Sequence, residues 1–171
     1  MGVKVAKFGG SSVADKFQIE KLKEIVTADK DRRYVIVSAP GKRFDTDTKM
    51  TDILYLCHTH REHLEKGCTP DYIASRGEYL SAMLTADFLG FDFVDTQELI
   101  LFSDNGKMLE EETNKAIKEC LDKHEYAVLP GFYGSYKSSG NVKTFSRGGS
   151  DITGAVVARA IGAEVYENWT D

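Results

Sequence analysis

No apolar run in this chain approaches the roughly 18 residues a bilayer-crossing helix needs, so no membrane partner is expected. Cysteine is scarce: Cys57, Cys68 and Cys120 form neither a C-x-x-C pair nor an even set, and reduced thiols are the plain expectation. Basic charge is in deficit, with 22 Lys and Arg against 27 Asp and Glu, a formal net charge of -5. That balance argues against a nucleic acid or an anionic membrane surface as a partner. The N-terminus lacks the apolar core of a secretory signal, which makes the cytoplasm the default compartment. Three familiar glycine signatures are also missing. There is no G-x-x-x-x-G-K-[ST], no G-x-G-x-x-G and no G-x-S-x-G, which removes the Walker loop, the dinucleotide fingerprint and the nucleophile elbow. What remains is a 171-residue chain, 42% hydrophobic and 29% charged, a composition that suits one globular domain.

The pattern within that domain alternates between strand and helix. Residues 4–8 read as a strand, and 16–28 as a helix with Ile19, Leu22, Ile25 and Val26 on one face and Asp15 as its N-cap. Tyr34-Val35-Ile36-Val37 is a continuous run of the kind that is buried on both faces. Further helices are expected over 52–66, over 75–89 with Leu80, Met83, Leu84 and Phe88, over 110–123, and over 151–161. Thr69-Pro70 is expected to break the first of these from the next. The 110–123 helix is the cleanest, with Thr113, Ala116, Ile117, Cys120 and Leu121 in one stripe. Strands are expected over 91–95, 126–130 and 164–168, with a turn over 131–134 and a polar hairpin around Ser138-Ser139-Gly140-Asn141. Strand, helix and strand at this spacing make right-handed βαβ units and hence an α/β, three-layer αβα sandwich on a mostly parallel sheet. Ligands in such folds sit beyond the carboxyl ends of the strands.

Glycine-rich stretches fall at those ends. Lys7-Phe8-Gly9-Gly10-Ser11-Ser12 joins a strand to a helix start, where amides and a point charge could cradle a phosphate, or where glycines simply turn the chain. Arg147-Gly148-Gly149-Ser150-Asp151 repeats the theme, and Ser150 or Asp151 could equally cap the helix that follows. Ser75-Arg76-Gly77-Glu78 is expected to open a helix with a carboxylate in its first turn, suited to an ammonium group or merely to the helix dipole. Cys57-His58-Thr59-His60-Arg61-Glu62-His63 tempts a zinc reading through His60 and His63. Ile53, Leu56, Cys57, His60 and Leu64 trace an expected buried stripe, however, and no metal site is assigned.

Taken in order, these stretches resemble one family. Lys7-Phe8-Gly9-Gly10-Ser11-Ser12-Val13 is similar to the opening signature of aspartokinases, members of the amino-acid kinase superfamily. The stretches Val37-Ser38-Ala39-Pro40-Gly41-Lys42, Ser75-Arg76-Gly77-Glu78, Gly131-Phe132-Tyr133-Gly134 and Thr144-Phe145-Ser146-Arg147-Gly148-Gly149-Ser150-Asp151 follow in the family's sequence, with Asn168-Trp169-Thr170-Asp171 last. The resemblance implies ATP- and Mg²⁺-dependent phosphorylation of the side-chain carboxylate of L-aspartate, feeding lysine, threonine and methionine synthesis. It implies phosphate contacts from Lys7, Phe8, Gly9, Gly10 and Ser11, nucleotide contacts from Thr170 and Asp171, and a lysine-organising role for Asp151. It implies substrate contacts from Ser38, Thr51, Glu78, Arg147, Gly148, Gly149 and Ser150. On this reading residues 1–171 form the N-terminal, substrate-binding part of the kinase domain, shortened between Asp52 and Ser75, without the adenine-binding half or the ACT regulatory domains; a homo-oligomer is compatible with it. A kinase for acetylglutamate or carbamate, and a non-catalytic module keeping an anion or amino-acid pocket, are the alternatives.

Overall fold

Strands rich in Val, Ile and Tyr form the centre of the molecule because both their faces meet helices. The computed structural model describes residues 2–59, 68–146 and 148–170, with backbone alone at 57–59. Five strands, β1 (Lys4–Phe8), β2 (Arg32–Val37), β3 (Asp92–Phe93), β5 (Ala127–Pro130) and β8 (Val165–Trp169), make a wholly parallel sheet in the order β3-β5-β2-β1-β8. Side chains alternate across it with period two. Ala6, Phe8, Val35, Val37 and Val128 pack against α1 (Lys16–Thr27) and α3 (Pro70–Leu89). Val5, Tyr34, Ile36, Ala127 and Leu129 pack against α4 (Glu110–Leu121) and α5 (Gly149–Ile161). Each Val, Ile, Leu or Phe among them contributes about 1.5–3 kcal/mol when fully buried, so the two faces together dominate stability. The three-layer αβα sandwich is the one the strand-helix alternation predicts.

Local chemistry sets the element ends. Asp15 caps α1 by accepting the Gln18 N–H at 3.0 Å. Thr113, Ile117 and Leu121 bury the stripe of α4, with Ala116 and Cys120 beside it, as its periodicity predicts. The strand expected over 91–95 shortens to Asp92–Phe93.

Three features differ from expectation. Thr69-Pro70 begins a helix instead of only breaking one: Thr69 accepts the Tyr72 N–H at 3.1 Å, and Pro70 occupies the first helical position, where its missing N–H costs nothing. The inner face of α3 is built of Ala74, Ser75, Gly77, Ser81, Ala82, Thr85 and Ala86, while Leu80, Met83, Leu84 and Phe88 face outward. Small residues win that face because the helix approaches the sheet closely. On α2 (Met50–Thr59), Ile53 and Leu56 are exposed while Met50 and Leu54 approach Gly77 of α3, so the described part of the expected stripe is rotated; the Cys57 side chain, His60, His63 and Leu64 lie outside what is described.

A second, three-stranded sheet stands apart from the main one. In it β4 (Leu101–Phe102) runs parallel to β6 (Tyr133–Tyr136), which pairs antiparallel with β7 (Val142–Thr144) in the expected hairpin. Asp71, in the first turn of α3, receives the Thr144 N–H at 3.2 Å and its hydroxyl at 2.9 Å, which docks the hairpin on α3.

Candidate functional site

Because the main sheet is parallel, β1, β2, β5 and β8 all release their chains at one edge. Gly9, Ser38, Gly131 and Thr170 follow those four ends. Adjacent exits are stitched together: Ser38 N–H donates to Phe8 O, Gly131 N–H to Val37 O, and Gly9 N–H to Trp169 O, at 3.2, 2.9 and 3.1 Å. A single rim results, and most of the residues picked out from sequence lie on it.

The β1 and β2 exits touch backbone to backbone. Gly41 N–H donates to Gly10 O at 2.8 Å, and a Cβ on Gly10 would lie 2.9 Å from Ala39 O. Glycine is needed there for proximity, since no side chain fits between the two loops. Gly9-Gly10 does not lead directly into α1; a three-residue 3-10 turn, Ser11–Val13, intervenes. The Ser12 and Val13 amides close that turn on Gly9 O and Gly10 O, leaving the Gly10 and Ser11 amides without a partner among the described residues. The ring of Phe8 is buried and stacks on Trp169, so its contribution to the rim is packing.

Beneath Gly9 lies the Lys7 ammonium, 2.7 Å from Asp151 Oδ1. Lys7 is 4% exposed, and Asp151 is half exposed in the first turn of α5. Asn168, on β8, donates its amide to the same Asp151 oxygen at 3.2 Å. A lysine fixed in this way is a desolvated cation with a set direction, worth more to an arriving anion than a solvated one. The α5 N-terminus sits beside it. Its N-cap is Gly148, in the left-handed conformation at φ 61, with no side-chain cap bond, so neither Ser150 nor Asp151 plays the capping role that its position allowed. Ser150 packs against Gly131, and Thr153 receives the Phe132 N–H at 3.1 Å, which anchors the helix start to the β5 exit. Arg147 and Asp171 lie outside the described residues.

Next to this cradle a cavity of ≈ 480 Å³ opens, lined by Gly10, Ser11, Ser38, Thr51 and Glu78 together with Lys42 and Lys49. Glu78 stands in the third turn of α3, not in the first, so the dipole-compensating alternative falls away. It is 5% exposed, and its Oε2 has no hydrogen-bond partner among the described residues. Burial pushes its pKa up to about 7, and the Ala39 amide draws it partly back. A buried carboxyl with an unsatisfied oxygen beside an open cavity is a receiver for a cation. Gly77 makes this placement possible, because α3 crosses the β2 exit there: an added Cβ would lie 2.8 Å from Ala39 Cβ and 3.3 Å from Leu54 Cδ1. Overpacking costs about 1–3 kcal/mol, and valine's helix preference over glycine offsets only a few tenths of a kcal/mol of it. Gly77→Val is therefore expected to lower unfolding free energy by about 2 kcal/mol, read from urea denaturation.

The sequence reading picked Ser38, Thr51 and Glu78 for one pocket, and the structure brings them together. It gave no role to Lys42, Lys49, Ala39 or Asn168. The signal available for Ala39 and Lys42 was their place just after a buried strand. Among the described residues no group of three or more His, Cys, Asp or Glu is placed to hold a metal ion, and no helix is long and apolar enough to cross a membrane.

Comparison with known proteins matches residues 2–171 to the profile of the amino acid kinase family. Aspartokinase 3 of Bacillus subtilis is 30% identical over 223 residues, covering 99% of this chain and 48% of the relative. The crystal structure of Clostridium acetobutylicum aspartate kinase superposes with a TM-score of 0.95 at 40% identity, covering 100% of this chain and 48% of that one. Escherichia coli aspartokinase III, solved with aspartate and ADP, shares the fold at a TM-score of 0.78 and 21% identity, over 99% of this chain and 49% of that one. The chain thus spans about half the length of the curated relatives it matches.

Proposed function

This chain belongs to the amino acid kinase family, and on that premise we propose that it carries the acceptor site of a cytoplasmic kinase that phosphorylates the side-chain carboxylate of L-aspartate, giving 4-phospho-L-aspartate at the entry to lysine, threonine and methionine synthesis. The observation that carries the substrate assignment is Glu78, a buried carboxyl whose free oxygen borders the cavity next to the Gly10 and Ser11 amides. It calls for a free ammonium group on the acceptor. Carbamate has none, and acetylglutamate has its amine acylated, so the aspartate reading is favoured over both. The C. acetobutylicum and B. subtilis relatives, an aspartate kinase and an aspartokinase, support it.

The chemistry asks little beyond placement. An aspartate side chain is ionised at neutral pH, so no general base is required. The difficulty is bringing one anion onto another, which is met by positioning and charge. Lys7 and the Gly10 and Ser11 amides face the transferring group, and Asp151 with Asn168 holds Lys7 in register. The glycine cradle fits phosphate oxygens because backbone, not side chain, forms its wall. ATP supplies the phosphoryl group, and Mg²⁺ the countercharge, when bound. Gly148, Gly149 and Ser150 at the uncapped α5 N-terminus, with Arg147, take the acceptor's α-carboxylate. Ser38 and Thr51 line its side, Thr170 at the end of β8 serves the nucleotide, and Asp171 is assigned as a further nucleotide contact.

The test is capture of the acyl phosphate. The protein carrying these residues, given ATP, Mg²⁺, L-aspartate and hydroxylamine, should yield aspartyl hydroxamate, and no hydroxamate with acetylglutamate. Product from acetylglutamate but not from aspartate would reverse the assignment.

A further inference from the structure

We propose that Lys42 and Lys49 hold the side-chain carboxylate of the acceptor, making the loop between β2 and α2 the element that selects a dicarboxylic amino acid. The inference rests on the aspartate reading and deepens it.

The two lysines are seven residues apart in the chain, yet both border the same cavity. They meet there because the loop folds back on itself. Met50 N–H reaches Pro40 O at 3.5 Å, closing its base, and Gly41 N–H fastens that base to Gly10 O. Within the loop the Arg43 guanidinium clamps the Asp47 carboxylate from two nitrogens, at 2.7 and 3.1 Å, and Arg43 N–H adds a third bond at 3.1 Å. A bidentate pair of this kind fixes geometry better than a single contact does. Lys42 and Lys49 flank the clamp on either side.

Neither lysine is neutralised. Lys42 Nζ reaches only the backbone carbonyl of Asp45, at 3.3 Å, and Lys49 Nζ has no hydrogen-bond or ion-pair partner among the described residues. Glu78 borders the same cavity with Oε2 unpaired, so the lysines do not satisfy it either. The charged residues along the described wall are therefore the exposed Lys42 and Lys49 and the buried Glu78. L-Aspartate carries one ammonium group and two carboxylates. Its ammonium belongs with Glu78. Its α-carboxylate is already matched to the α5 N-terminus, which does not border this cavity. The side-chain carboxylate is left for the lysines, beside the Gly10 and Ser11 amides where transfer occurs.

Calorimetric titration with L-aspartate and with L-asparagine, which replaces that carboxylate by a neutral amide, tests the placement. Lys42→Ala and Lys49→Ala should each weaken L-aspartate binding about five- to tenfold, as expected for charge-assisted contacts from exposed side chains that a bound substrate covers. L-Asparagine binding should change by less than about twofold, because a neutral amide offers these cations little. Lys49→Arg should retain affinity. Asp47→Asn, which loosens the clamp with both lysines present, should weaken aspartate and spare asparagine. Equal losses for the two ligands would place the lysines at the wrong end of the substrate and overturn the proposal. So would unchanged aspartate affinity in the double alanine variant. If the wild-type protein binds no L-aspartate at all, the acceptor assignment itself fails, an outcome the variants cannot mimic.

Discussion

Lys7→Met is expected to lower turnover about 10²- to 10³-fold while leaving L-aspartate affinity within about twofold, the pattern of a group that acts on charge developing during transfer. Methionine keeps the length of the aliphatic stem and removes the ammonium. The protein should still fold, because Asp151, the partner left behind, is half exposed and returns to water. A buried lysine also carries a desolvation penalty, so its removal should leave thermal stability unchanged or slightly raised. Single-turnover kinetics separate the steps. A variant that loses acceptor binding and turnover in equal measure would show that Lys7 grips the substrate's ground state. A variant with full turnover would reduce Lys7 to a packing residue.

The second large effect concerns Glu78 and depends on pH. Glu78→Gln should weaken L-aspartate binding about 10- to 150-fold near pH 8, the range for a contact between charged partners. In the wild-type protein Glu78 must ionise before it can pair with the ammonium. With its pKa raised to about 7, affinity should improve by up to about tenfold per pH unit as the pH climbs toward 7 and then level off. The glutamine variant should show no such rise. Stability runs the other way. Between the ordinary carboxyl pKa near 4.5 and about 7, the folded protein holds a proton that the unfolded chain has released. Rising pH therefore favours unfolding across that window, by on the order of 1–3 kcal/mol, and has no further effect above it. Glu78→Gln should remove that loss, leaving the empty variant more stable than wild type at pH 8 and no more stable at pH 4. A flat affinity profile in the wild-type protein would mean that the ammonium is bound elsewhere.

These residues were not equally visible in the sequence. Lys7 and Asp151 stand next to glycine pairs at element boundaries, and a buried β-branched run or a capping aspartate is a local signal that tertiary packing rarely overrides. Residues 4–8, 16–28 and 110–123 were legible for that reason. The α3 region was not. Its buried face is made of Ala, Ser, Thr and Gly, which carry little hydrophobic signal, whereas Leu80, Leu84 and Phe88 carry a strong one and lie outside. Thr69-Pro70 reads as a stop because those residue types occur at both ends of helices. Moving the helix start from Ser75 to Pro70 carried Glu78 from the first turn to the third and changed its meaning from dipole partner to buried receptor. The small sheet is half legible: its hairpin is expected, but β4 is two residues long and pairs Leu101 with the distant Ser135. Lys42 and Lys49 look like loop charges in sequence; only the closure of the loop by Arg43 and Asp47 turns them toward one space.

The position of β1 has a consequence for how the molecule is made. This first strand lies between β2 and β8, with Lys4 opposite both Arg32 and Val165. During synthesis one flank of β1 can be paired early, but the other stays open until nearly the whole described chain has emerged. Its hydrogen-bonding groups must wait on the ribosome for a strand from the far end, and loop closure over so long a separation is slow. The strand that carries Lys7 is thus the last of the described central strands to become fully paired, and the contact that links Asn168 through Asp151 to Lys7 forms only when β8 docks.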